Sequence, residues 1–173
     1  MRALYPVCLA LALAAPTTGH ADQPYTVTPF HIDGTLIVGV DGRLVVGLSG
    51  KGKAYSEWTV SPGWRRGQTF LRPSEAGAYS KWAVGYDPKT RAVVLTMGDH
   101  GEVECAWRVV NPPKTLGLYL RAAAGKYEGW YLSVAEKVEK VTDKDGNPHT
   151  FHRLILTEKP GKRAEWDIEQ IGK

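Results

Sequence analysis

Leu36-Ile37-Val38-Gly39-Val40, Trp82-Ala83-Val84-Gly85-Tyr86 and Trp130-Tyr131-Leu132-Ser133-Val134 are three versions of one stretch, and together they decide how this chain folds. Each alternates in the way of a strand with one buried face. Each is followed by a second apolar run: Leu44-Val45-Val46, Ala92-Val93-Val94-Leu95 and Leu154-Ile155-Leu156. Each set then closes on a tryptophan, Trp58, Trp107 or Trp166. From Val46 to Trp58 is 12 positions, from Val94 to Trp107 is 13, and from Ile155 to Trp166 is 11. Such a repeat outranks local propensity, because one unit cannot bury its apolar face without its neighbours.

With the three stretches matched in this way, alternation sends Leu36, Val38 and Val40 to one face, with Trp82, Val84 and Tyr86, and with Trp130, Leu132 and Val134. Trp82 and Trp130 are therefore expected in the core, opposite the small Gly39, Gly85 and Ser133. Upstream, Leu71-Arg72 followed by Gly77 to Trp82 matches Leu120-Arg121 followed by Gly125 to Trp130. The first unit lacks this match, and its opening strand is expected near Tyr25 to Phe30. Asp41-Gly42 is a hairpin-turn pair, since that turn needs positive φ. Asp87-Pro88 stands at the corresponding place, and Glu136 through Thr150 reads as a longer connecting loop. No window carries a convincing helical face.

Residues 1–21 read as a secretory signal. Arg2 supplies the positive start, Val7 to Ala15 the short apolar run, and Ala21 the small residue before the cleavage point. Secreted or periplasmic localisation is expected, with no membrane insertion after cleavage, because a span needs roughly 18 apolar residues. The remaining 22–173 form one domain, in units of about 22–66, 67–113 and 114–173. Without Arg2 the charge is 21 Lys+Arg against 18 Asp+Glu, alternating in sign as in Glu136-Lys137-Val138-Glu139-Lys140. No basic stripe argues for nucleic acid. Only Cys105 survives cleavage, so no intrachain disulfide staples the domain. Lying two residues before Trp107 in an expected strand, Cys105 reads as a small buried hydrophobe on the same face.

Three units of about four strands, closing on Ser-Glu-Trp58, Cys-Ala-Trp107 and Ala-Glu-Trp166, resemble the β-trefoil superfamily across essentially the whole of residues 22–173. The tryptophans also resemble the Gln-x-Trp signature of ricin B-type lectin repeats. Ser56, Cys105 and Ala164 stand where that signature has glutamine. The resemblance implies an all-β fold, a β-trefoil with three pseudo-equivalent four-stranded units. It also implies an exported, non-catalytic, carbohydrate-binding module. The acidic residue that follows the strand leucine in those lectins is Ser133 after Leu132, with Gly39 and Gly85 as its equivalents.

Asp41 and Asp87 are the remaining candidate acceptors for sugar hydroxyls, with Tyr131 as an aromatic platform. Asp also stabilises turns, which is the plainer reading of both aspartates. Glycan is the expected partner, an extracellular protein the alternative. Trefoil protease inhibitors present a rigid extended loop, and here Arg65-Arg66 within Ser61 to Gly67 would suit a trypsin-like pocket. A purely structural or partner-binding trefoil is the third reading. His149-x-x-His152, and His100 between Asp99 and Glu102, provide pairs rather than the three or four ligands a zinc site needs. Gly50-Lys51-Gly52-Lys53 lacks the rest of a phosphate loop, and no nucleophile motif appears. No catalytic residue, cofactor or metal is expected.

Overall fold

The computed structural model describes residues 24–39, 44–49, 56–74, 79, 81–97, 103–113 and 115–171. Residues 1–21, Asp41 with its Gly42, the Gly50 to Lys53 stretch, and Asp99, His100 and Glu102 lie outside them. The described residues form twelve strands: β1 (Pro24–Pro29), β2 (Thr35–Val38), β3 (Leu44–Ser49), β4 (Trp58–Pro62), β5 (Thr69–Pro73), β6 (Trp82–Tyr86), β7 (Val93–Met97), β8 (Trp107–Val110), β9 (Leu118–Ala122), β10 (Tyr131–Thr142), β11 (Pro148–Thr157) and β12 (Glu165–Gln170). Short 3-10 turns at Val103–Cys105 and Lys162–Ala164 precede β8 and β12, and none of these residues is α-helical.

Six of the strands close on themselves. β12 pairs with β1, β1 with β4, β4 with β5, β5 with β8, β8 with β9, and β9 returns to β12 through Glu165 opposite Tyr119. Closure removes the open edges that a sandwich of the same strands would leave. The other strands form hairpins β2–β3, β6–β7 and β10–β11. β11 also pairs with β3, and a bridge between Ala92 and Ile155 ties the second hairpin to the third.

The barrel is filled by apolar side chains at alternate positions. Val27, Leu71 and Leu120 from its rising strands, and Trp58, Trp107 and Trp166 from its returning ones, are all 0% exposed. A buried indole still has to satisfy its N–H. Trp58 Nε1 donates to the Leu36 carbonyl at 2.9 Å, Trp107 to Val84 at 2.8 Å, and Trp166 to Leu132 at 3.1 Å. The same contact, made three times, fastens barrel to hairpin.

These contacts also correct the register read from sequence. Leu36, Val84 and Leu132 occupy one position, and they oppose Val46, Leu95 and Leu156 across their hairpins. The first stretch therefore slides by two residues, and Gly34, not Leu36, matches Trp82 and Trp130. A slide of two leaves every side chain on the same face, so alternation is blind to it. Trp82 and Trp130, expected in the core, are only half-buried, Trp82 as the first residue of β6 and Trp130 just before β10, against the core's edge. The upstream match between the second and third units is visible in the backbone: Trp82 N donates to Tyr79 O at 2.9 Å and Trp130 N to Tyr127 O at 3.0 Å.

Two further expectations change. Cys105 is buried, but in a 3-10 turn rather than a strand, so the same-face argument with Trp107 does not hold. It packs with Phe70, Ala83, Ala106 and Ala123 in a second small cluster, distinct from the one that holds Trp58, Trp107 and Trp166. A Cβ on Gly85 would lie 3.3 Å from the Glu104 carbonyl oxygen of that turn, a tight approach that favours glycine there. The Glu136 to Thr150 loop is instead mostly strand. After a bulge between Val134 and Val138, β10 and β11 continue paired to Thr142 opposite Pro148.

Candidate functional site

The turn after β6 is built by Asp87. Its N–H donates to Ala92 O at 2.8 Å, and its carbonyl accepts from Arg91 N at 2.8 Å. Its carboxylate takes the Lys89 N–H on Oδ1 at 2.8 Å and the Thr90 hydroxyl on Oδ2 at 2.7 Å. The Thr90 hydroxyl, and then the Lys89 N–H, hold the carboxyl below its ordinary value, so Asp87 is a carboxylate at neutral pH. Turn stabilisation, the plainer expectation, is what its bonds show. An ionised carboxylate has about four acceptor sites, so these two bonds leave room for a ligand hydroxyl.

Against this turn lies the segment 123–130, which leads into β10. Tyr86 Oη donates to Ala124 O at 2.7 Å and accepts from Tyr127 N at 3.4 Å. Burial lifts the Tyr86 phenol above its usual value, keeping it a neutral donor. Gly125 has φ 83°, and any Cβ there would collide with the Tyr86 hydroxyl. Lys126 Nζ and Tyr127 Oη both donate to Pro88 O, at 3.1 and 3.4 Å. The Tyr127 and Trp130 rings lie 5.1 Å apart, and the Arg91 guanidinium sits 5.9 Å from the Trp130 centroid. The result is a half-buried aromatic pair bordered by the Pro88 carbonyl and two cations, at the turn that carries Asp87.

Tyr131 is not part of this patch. Its ring meets Tyr119 edge-on at 5.5 Å on the barrel's outer wall, and its backbone lies opposite Arg121 and Thr157. In the corrected register its counterpart in β6 is Ala83, four residues before Asp87, or about 13 Å along a strand. Counted from Val84, Leu132 and Leu36, Asp87 aligns with Ala135 and Gly39, while Asp41 lies outside the described residues. Sequence reasoning named Tyr131 and missed its neighbour Trp130, which alternation had assigned to the core. The repeated Gly-x-Tyr-x-x-Trp spacing was the available signal.

Arg65 and Arg66 are exposed, but the segment carrying them is a closed turn, not an extended loop. Gly63 N donates to Gln68 O at 2.8 Å, Gln68 N to Arg65 O at 3.0 Å, and Arg65 N to the Gln68 side-chain oxygen at 3.1 Å. The backbone of Gly63, Arg65 and Gln68 is thus committed within the turn. Trp64, 48% exposed, packs edge-on to Phe70 at 4.7 Å. His149 and His152 do not converge: the first bonds Asp143 at 2.9 Å and the second the Lys137 carbonyl at 3.2 Å. Among the described residues no three potential metal ligands gather.

No protein-family model and no curated protein matches this chain. Solved structures do. The chain is similar to SeviL bound to asialo-GM1 saccharide, with TM-score 0.61 and 10% identity over 88% of this chain and 100% of that one. It is similar to the Polyporus squamosus lectin bound to a human-type influenza-binding epitope, with TM-score 0.60 and 9% identity over 89% of this chain and 51% of that one. A mosquitocidal holotoxin matches with TM-score 0.66 and 10% identity over 89% of this chain, which spans 18% of the toxin chain. At 9–10% identity the likeness is one of fold, a β-trefoil.

Proposed function

We propose that this chain is an exported, non-catalytic carbohydrate-binding module, a β-trefoil whose three units are β1–β4, β5–β8 and β9–β12. The observation that carries the reading is the Tyr127–Trp130 aromatic pair held against the Asp87-Pro88 turn. Sugars present an apolar C–H face and a rim of hydroxyls, so an aromatic ring with fixed acceptors beside it matches their chemistry. Asp87 accepts from hydroxyls, while Trp130 and Tyr127 supply the platform. The lectins of the same fold, bound to saccharides, support the class of ligand. The Arg2 and Val7 to Ala15 pattern supports action outside the cytoplasm.

A glycan array probed with residues 22–173 tests the reading. Binding is expected, and Trp130→Ala or Asp87→Asn should weaken it at least tenfold. Full affinity in both variants would move the site elsewhere, and an array without any bound glycan would overturn the lectin function itself.

A further inference from the structure

The outer wall of the barrel carries two guanidinium groups that meet no acid among the described residues. Arg108 on β8 lies directly opposite Arg121 on β9, and Arg121 lies opposite Tyr131 on β10. Their neighbours Trp107, Leu120 and Ala122 are buried inward, so alternation turns both arginines to the outer face. Side chains directly opposed in an antiparallel pair stand about 5 Å apart at Cβ, and like charges there repel. Arg121 Nε is, in addition, buried without a hydrogen-bond partner. A buried charged donor left unpaired is costly.

The surroundings do not relieve either feature. Glu165, opposite Tyr119 across β9–β12, is engaged by His31 Nε2 at 2.9 Å. Arg153, by contrast, has its acid partner in Glu139 at 2.8 Å. Tyr119 and Tyr131 stand edge to face beside the arginine pair and bring two phenol groups to its border. A single oxyanion between the forks would neutralise the repulsion and satisfy the orphan N–H together.

We propose that Arg108 and Arg121, bordered by Tyr131, form an oxyanion-binding site on the barrel wall, separate from the Asp87 patch. Its ligand is a sulfate, phosphate or carboxylate group, either as the free ion or carried on a saccharide. Guanidinium forks favour these planar or tetrahedral oxyanions over chloride.

The test is a titration of the ¹⁵N-labelled chain with sodium sulfate at constant ionic strength, following the Arg121 Nε–Hε resonance. A saturable shift with a millimolar midpoint is expected, at least tenfold weaker in Arg108→Gln. Arg108→Lys, which keeps the charge but loses the fork, should fall between and guards against a folding defect. A linear or absent shift, or an unchanged midpoint in both variants, would refute the site. Galactose 6-sulfate and galactose identify the source. Tighter binding of the sulfated sugar than of free sulfate assigns the anion to a saccharide, and equal binding assigns it to the free ion. Galactose shifting the resonance as strongly as its sulfate would exclude an oxyanion site. Glycan binding lost in Trp130→Ala with this titration unchanged would leave both proposals standing at separate places.

Discussion

The Trp107 indole N–H donates to the Val84 carbonyl at 2.8 Å, across 23 residues of chain. It joins a barrel strand to the hairpin above it, and with Trp58–Leu36 and Trp166–Leu132 it forms a belt of three such bonds. Trp107→Ala should cost about 3–5 kcal/mol through lost burial and the cavity left behind. Trp107→Phe refills much of the volume but strips Val84 O of its donor, for about 1–3 kcal/mol. Urea midpoints at unchanged slope check both values, and a Trp107→Ala midpoint within about 0.5 kcal/mol of the parent would show that the belt holds nothing.

Tyr86 links the second hairpin to segment 123–130 through Ala124 O at 2.7 Å. Tyr86→Phe should lower stability by about 1 kcal/mol, the net worth of one such bond. Gly125→Ala should cost more, because it adds left-handed strain to a collision with the Tyr86 hydroxyl. In the double variant part of the Gly125→Ala cost should be recovered once the hydroxyl is gone. Strict additivity in thermal unfolding would place the strain in the backbone alone.

The tip of the long hairpin should loosen in acid. Asp143 accepts from His149 Nε2 at 2.9 Å, Asn147 N at 2.8 Å and Asp145 N at 2.9 Å. The His149 bond first, then the Asn147 N–H, hold its carboxyl well below the usual carboxylate range. A carboxyl depressed by folding stabilises above its unfolded value, about 3.9, and that stability is lost as the pH falls further. Amide exchange at Asp145 and Asn147 should therefore quicken only below about pH 4. In Asp143→Asn it should be fast at neutral pH and change little with acid. Loosening between pH 5 and 7 in the parent would point to a different group.

The Arg65-Arg66 turn should tolerate loss of both charges. Arg65→Ala/Arg66→Ala is expected to leave the unfolding free energy within about 0.5 kcal/mol, as for exposed sites generally. Gln68→Ala, which removes the side-chain bond closing the turn, should cost about 1 kcal/mol. A trypsin assay on the parent is expected to show no inhibition, and stoichiometric inhibition abolished in the double arginine variant would reinstate the inhibitor reading.

Much of this architecture is local information. Alternating apolar residues are legible one strand at a time, and the closing tryptophans mark where each set ends, so an all-β fold and the inward faces of Val84, Leu132 and Val134 follow from the sequence alone. Register does not, because alternation is unchanged by a slide of two residues. Only the indole bonds to Leu36, Val84 and Leu132 show which residues are equivalent. The meeting of Asp87's turn with Tyr127 and Trp130 is decided by packing between one hairpin and the segment leading into the next, over some 39 residues of chain. Arg108 faces Arg121 only because β8 and β9 pair in the register they do. Faces are set by neighbours in sequence, but sites are set by neighbours in space, and closure of the barrel chooses those.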